Sequence, residues 1–397
     1  MGLNQTKKVV LALAIITLIV GLSACDQLAR ILSDDEIPQM MGPMNPQLTE
    51  ISGEVAVGLA SPQTGRFAAY GPQAAGTGLA LEEINNGQLG DARIRFLVED
   101  DRSTPEGAVD AFNNLIEAGV SAIIGPSTSE QVGATIPIAE KNRIVAFSPT
   151  SEASGLSALG NYIFRAALTS DVKIPIGVKL TREKLGYQKV ATILHDENDP
   201  YSKNSDDLLK QALATNGVTV LTSETIQTGE MDFSAQLSRI SDAAPDAIFI
   251  SGQPIELPDI LRQIRQHGLP HEVPIITPLI SISDVQQAGT AAEGVITFAN
   301  WTINAPTPGN QSFVKKFIEK NGVEPNTFAA QAYAAVYILA HAIANAGSTN
   351  STDIRDALAQ TKDLETVLGK FSFDAVGDSV YDPIILSVEH GRFEIFD

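Results

Sequence analysis

The sequence predicts an α/β protein made of two doubly wound parallel-sheet lobes, and three observations carry that prediction. Short apolar runs alternate with amphipathic runs of about ten to fifteen residues from Ile51 onward, the pattern of βαβ units. The runs of strand type fall into two groups, one before residue 150 and one between 190 and 276, each long enough to wind its own open sheet. The chain of 397 residues exceeds what one core usually holds, at roughly 150 residues per domain.

The strand candidates are 55–60, 94–98, 122–124 and 144–147 in the first group. Those of the second are 190–194, 218–221, 247–250 and 275–276, with 295–298 following. Helical patterns cover 76–84, 105–118, 130–140, 174–185, 202–216, 233–243 and 257–266, then 311–320, 327–345 and 352–360. Thr104 before Pro105-Glu106-Gly107 is a start signal: an N-capping hydroxyl, a proline at the first helical position and an early acid. Asn216-Gly217, His267-Gly268 and Asn321-Gly322 read as helix ends, where glycine accepts the left-handed conformation. The run 327–345 is apolar nearly all round and is expected to lie buried between layers, with His341 as a structural residue.

Composition narrows the function. Acids outnumber bases 47 to 27, a formal charge of −20, and the Lys and Arg residues are scattered. Such a chain is repelled by phosphate backbones, so nucleic acid is not an expected partner. The single cysteine, Cys25, rules out an intrachain disulfide or a multi-cysteine metal site. His267 and His271 are four apart, but Gly268 and Pro270 between them prevent one continuous helix from aligning both rings. No P-loop, H-E-x-x-H or G-x-S-x-G pattern occurs, so no enzyme is expected, and no metal or cofactor.

Residues 1–24 read as an address. Lys7 and Lys8 precede an uncharged, mainly apolar run over 9–22, short of the ~20 residues a spanning helix needs. The run closes on Leu22-Ser23-Ala24-Cys25, which resembles the bacterial lipobox, and Cys25 is the expected lipidation site. Residues 25–50, with Asp34-Asp35-Glu36, several prolines and three of the five methionines, read as a flexible tether. The protein is therefore expected outside the cytoplasm, lipid-anchored to the outer face of the bacterial cytoplasmic membrane.

Ligands of open parallel sheets collect at the carboxyl ends of the strands. The loops there are 61–71 (SPQTGRFAAYG), 125–130 (GPSTSE) and 148–152 (SPTSE), each placing hydroxyls and free amides before a helix, a setting that favours anions. For one such loop, N-capping alone would explain the hydroxyls; three converging on one crevice point to a ligand.

The order ASPQTGRFAAYG, VEDDRSTPEGAV, AIIGPSTSEQVGATIPIAE, RIVAFSPTSEASGLS, ATILHDENDPYS, DAIFISG and AEGVITFANW resembles the periplasmic leucine/isoleucine/valine-binding protein family, over about residues 53–390. The resemblance implies the type I periplasmic-binding-protein fold, two lobes joined by a three-strand hinge around a ligand cleft. It implies an N-terminal lobe of 51–168 plus 300–372 and a C-terminal lobe of 169–299 plus 373–397. The implied function is capture of an amino acid of branched-chain type, or a related compound, for delivery to an ABC transporter permease. A sensor of the same fold without transport is the alternative, and the body is expected to be a monomer.

By position, the resemblance assigns Ser129 to the ligand carboxylate and the Thr150 and Ser151 backbone to its head group. Glu152 stands where a threonine is common, and Gln253 where a tyrosine is usual. Tyr70 and Tyr201 match aromatic residues lining the cleft. The acid expected to meet the ligand ammonium belongs in the loop that here reads Thr277-Pro278-Leu279, which has no carboxylate. A buried ammonium without a partner costs several kcal/mol, so either Glu152 supplies the charge, with Glu256 and Asp284 as weaker substitutes, or the ligand is not an α-amino acid. Asp100-Asp101 are expected to be structural.

Overall fold

The computed structural model describes residues 53–68, 72–87, 92–196, 198–252, 256–270 and 272–396. The leader, Cys25, the tether, Tyr70 and Gln253 lie outside the described residues.

Five parallel strands open the body: β1 (Gly53–Ser61), β2 (Ala92–Asp100), β3 (Ala122–Ile124), β4 (Val145–Ser148) and β5 (Ile163–Arg165). Their order is β2-β1-β3-β4-β5, with crossover helices α1 (Pro72–Asn85), α2 (Pro105–Glu117) and α3 (Ser129–Asn142). The period-2 alternation of side chains sorts this sheet's two faces. Val55, Val57, Leu59, Val145 and Phe147 enter one apolar cluster, while Ala60, Ile123 and Ala146 enter another on the opposite side. Both faces are covered, as a doubly wound sheet requires.

The chain passes to the second sheet through α4 (Ser170–Leu185). It then lays down β6 (Lys189–His195), β7 (Thr219–Ile226), β8 (Ala247–Ser251), β9 (Ile275–Thr277) and β10 (Ile296–Ala299). Helices α5 (Pro200–Thr215), α6 (Ser234–Ala243), α7 (Leu257–Gln266) and α8 (Ile282–Ala288) connect them. A return to the first lobe carries α9 (Asn310–Asn321), α10 (Thr327–Ala346) and α11 (Ser351–Ala359). A small antiparallel sheet follows, of β11 (Leu364–Thr366), β12 (Gly369–Phe373) and β13 (Ser379–Val380). A last pass adds β14 (Ile384–Glu389) and β15 (Arg392–Ile395), both antiparallel, giving the order β15-β14-β10-β9-β8-β6-β7.

Sheet sizes of five and seven replace the four and four of the sequence reading. The additions are β5 and the antiparallel pair β14–β15, and the expected strand 295–298 joins the second sheet as β10. The first lobe's apolar cluster extends to Phe373 and Tyr381, beyond the expected boundary at residue 372.

Helix ends follow their sequence signals. The Thr104 hydroxyl accepts from the Gly107 amide at 2.9 Å, and Gly217, Gly268 and Gly322 all adopt positive φ after their helices. Helix α10 is almost wholly buried and packs on α1 so closely that a Cβ on Gly76 would lie 2.2 Å from the Ala329 carbonyl oxygen. His341, half-buried near its end, meets the Asn345 amide at 3.1 Å, and burial lowers its pKa.

Candidate functional site

In the first sheet the strand order reverses between β1 and β3, and in the second between β6 and β8. Loops leaving adjacent strands in opposite directions open a crevice at each such point, and ligands gather there. A cleft lined by both lobes lies at these loops.

The first wall comes from the loop after β1, which carries Arg66 and Phe67. Asp100 straps this loop down. Its Oδ1 accepts from the amides of Gln63 (3.0 Å), Thr64 (3.2 Å) and Arg102 (2.9 Å), and its Oδ2 accepts from the Thr64 hydroxyl at 2.6 Å. Burial alone pushes the Asp100 carboxyl up, but these hydrogen bonds together outweigh it and hold the pKa below the ordinary aspartate value. Asp101 is fully buried, accepts from the Ser103 amide at 2.9 Å, and is pushed up by burial. Both acids therefore hold the chain, the structural role expected of them.

The second wall is the start of α3, where Thr128 caps the helix in a capping box with Gln131. Ser129 is buried. Its Oγ accepts from the Ala153 amide at 3.0 Å and lies 3.1 Å from the Ser151 Oγ. The Thr150 hydroxyl donates to the Ser127 carbonyl at 2.7 Å, tying the β4 loop to the β3 loop. Ser129, Thr150, Ser151 and Glu152 thus come together on one wall, and Tyr201 lines the cleft from the other lobe.

Thr277 is not among the lining residues. It is fully buried, its hydroxyl donates to the Leu279 carbonyl at 3.1 Å, and Leu279 lines the cleft instead.

Glu152 lines the cleft, yet its charge is already matched. The Lys173 ammonium donates to its Oε2 at 2.5 Å, the Asn300 amide to its Oε1 at 2.5 Å, and the Tyr201 hydroxyl lies 3.4 Å from Oε2. Lys173 is wholly buried, and the sequence reading did not foresee it. The pair is twenty-one positions apart, with β5 between them, and no local spacing rule links such positions. Glu152 with Lys173 is a neutral unit, and the carboxylate offers a ligand hydrogen-bond acceptors without net charge. The substitutes considered beside it are also committed elsewhere. Asp284 accepts from the Ser281 hydroxyl and amide, closing the capping box in which Ser281 caps α8, and Glu256 is buried against His195.

The opposite wall carries acids that form no salt bridge among the described residues. Asp196 follows β6 in a left-handed conformation, φ 50°. It accepts from the Thr228 hydroxyl at 2.8 Å and from the Asn198 amide at 3.0 Å. The Thr228 hydrogen bond, more than any other influence, holds its pKa below the ordinary aspartate value. Asp199 caps α5 through the Ser202 amide at 2.7 Å. Arg66 and Glu130, both half-exposed, approach to 3.8 Å at the rim. Among the described residues, no three His, Cys, Asp or Glu side chains are grouped to hold a metal.

A family model described as "Periplasmic binding protein" matches residues 54–385. The Leu/Ile/Val-binding protein BraC3 of Rhizobium johnstonii is 29% identical over 334 residues, 82% of this chain and 89% of that one. Among solved structures, the leucine-binding protein LivK of Thermotoga maritima superposes with a TM-score of 0.80 at 27% identity, covering 86% of this chain and 98% of that one. The branched-chain amino acid transporter substrate-binding protein LivJ of Streptococcus pneumoniae, solved with isoleucine, gives 0.79 at 29% identity with the same coverage. Two doubly wound lobes, a cleft at both strand-order reversals and likeness along nearly the whole body converge on one conclusion: the chain belongs to the periplasmic leucine/isoleucine/valine-binding protein family of ABC-transporter solute receptors.

Proposed function

We propose that the protein captures a branched-chain α-amino acid or a close analogue outside the cytoplasm and presents it to an ABC transporter permease. The observation that carries this reading is the polarity of the cleft. Hydroxyls and a helix start on the first lobe, at Ser129, Thr150 and Ser151, face acids on the second, at Asp196 and Asp199. A zwitterion fits that gradient, with its carboxylate at the start of α3, where free amides and the helix dipole favour an anion. Leu279 and Phe328 supply apolar surface for a side chain.

Ligand binds first to the loops of the first lobe and is then covered by the second, which carries Tyr201. Gln253 and Tyr70 belong to the same binding surface in this reading. Closure expels water and strengthens each polar contact, and the closed form docks on the permease. Cys25 carries the lipid that holds the body at the membrane, and the body acts as a monomer.

One observation favours a second reading. With Lys173 matching Glu152 and no acid at 277–279, a ligand lacking an ammonium group would also meet a balanced first wall.

A thermal-shift and calorimetric screen separates the two. Leucine, isoleucine and valine are compared with 4-methylpentanoate, which is leucine without its ammonium. A ligand at 100 times its dissociation constant stabilises the fold by ~2.7 kcal/mol. Stabilisation by the amino acids supports the first reading. Stabilisation by 4-methylpentanoate alone establishes the second.

A further inference from the structure

His195 closes β6 at the edge of the cleft, is 5% exposed and belongs to the cleft lining. Its two ring nitrogens have different fates. Nε2 lies 3.0 Å from the Glu256 Oε2, while Nδ1 is buried with no hydrogen-bond partner among the described residues. A buried polar atom left unmatched costs free energy unless something else pairs with it. Here the unmatched atom belongs to a residue that lines the binding cleft.

The ring is held firmly. The other oxygen of Glu256 accepts from the Gly229 amide at 2.7 Å. The neighbouring Thr228 donates to Asp196, the residue that follows His195 in the chain. Cleft residue, buried acid, loop amide, loop hydroxyl and cleft acid form one closed circuit. A histidine whose Nε2–H is fixed on a carboxylate exposes Nδ1 as an acceptor when the ring is neutral.

We propose that His195 Nδ1 and the Asp196 carboxylate together form the subsite for the ligand's ammonium, in place of an acid on the β9 loop. The subsite rests on the amino-acid reading given above and specifies the chemistry it requires: a cationic N–H donor, met by a ring nitrogen and a carboxylate. Asp199, one helical cap away, adds to the negative potential of the same corner.

Conservative variants of His195 separate binding from structure. Asparagine places a polar atom near the position of Nδ1 and gives up the contact with Glu256. Glutamine reaches the position of Nε2 and gives up Nδ1. Titration calorimetry with L-leucine on wild type, His195→Asn, His195→Gln and Asp196→Asn is the test. Expected are a loss of roughly tenfold or more in affinity for His195→Gln and Asp196→Asn, a charge-assisted hydrogen bond being removed, and a smaller loss for His195→Asn. A purely structural histidine gives the reverse order, with His195→Asn the more impaired, and overturns the proposal. So do variants that all bind within twofold of wild type, with the amino-acid reading left standing. A wild type that binds 4-methylpentanoate and no amino acid overturns both together.

Discussion

Lys173 Nζ lies 2.5 Å from Glu152 Oε2, with both side chains buried where α4 meets the β4 loop. The pair sits at a junction of chain passes. Asn300, beside Glu152, also accepts from the Leu168 amide at 3.1 Å and from the Tyr381 hydroxyl at 3.3 Å. Burial raises the pKa of Tyr381 well above that of a free phenol, which keeps it a hydroxyl donor across the ordinary pH range. Segments from both lobes are thus clasped around one carboxylate that also lines the cleft.

Removing one member of this pair leaves a buried charge alone, which costs about 3–5 kcal/mol in comparable cases. Lys173→Met is expected to destabilise the protein by that order in urea unfolding. Adding Glu152→Gln to Lys173→Met is expected to recover most of the loss, because the remaining amide carries no charge. A double variant as unstable as the single one would show that packing of the lysine stem, rather than charge, is what matters.

The sheets were legible because burial on both faces leaves apolar runs with a period-2 division. Ile123 faces one cluster while Ala122 and Ile124 face the other. Two of the C-terminal strands, β13 and β15, were not legible for the opposite reason. In β15, Arg392, Glu394 and Ile395 are exposed, and β13 has two residues, so neither shows an apolar run. They exist because neighbouring strands supply hydrogen-bond partners. The same division holds in the cleft. The first-lobe loops could be read from hydroxyls set between strand and helix. The Glu152–Lys173 and His195–Glu256 pairs join residues 21 and 61 positions apart, and only the assembled fold brings them together.

Two glycines on α1 test the close packing of α10. A Cβ at Gly76 would lie 2.2 Å from the Ala329 backbone oxygen, whereas one at Gly78 would have nothing within 4 Å. Alanine gains up to ~1 kcal/mol over glycine in a helix interior, and overpacking costs ~1–3 kcal/mol. Gly78→Ala is therefore expected to raise the melting temperature, while Gly76→Ala lowers it. Equal effects from the two would mean that α1 moves freely against α10.

Asp100 links pH to the shape of the cleft. Its pKa in the folded protein lies below the ordinary 3.8, so the unfolded chain takes up the proton first as pH falls. The stabilisation is then fully present above 3.8 and is lost as pH drops through the lower, folded value. Asp100→Asn is expected to be less stable than wild type at pH 6, and the difference is expected to shrink below pH 3.8. Urea titrations across that range measure it. A difference independent of pH would show that the loop of Arg66 and Phe67 does not depend on the carboxylate.

Ser129 has two duties, and its removal should register in both. Its Oγ accepts from the buried Ala153 amide at 3.0 Å, so Ser129→Ala leaves that donor unpaired at a cost of ~1–3 kcal/mol. The same oxygen belongs to the wall assigned to the ligand carboxylate. Leucine affinity is therefore expected to fall by roughly tenfold as well, the loss of about one hydrogen bond to a charged group. Ser129→Thr, which keeps the hydroxyl at the first position of α3, is expected to restore stability and most of the affinity. If unfolding shows the loss while calorimetry with leucine does not, Ser129 ties the β3 and β4 loops together and leaves the carboxylate to the backbone at Thr150 and the start of α3, the Ser151 amide already donating to the Ser148 Oγ at 3.2 Å.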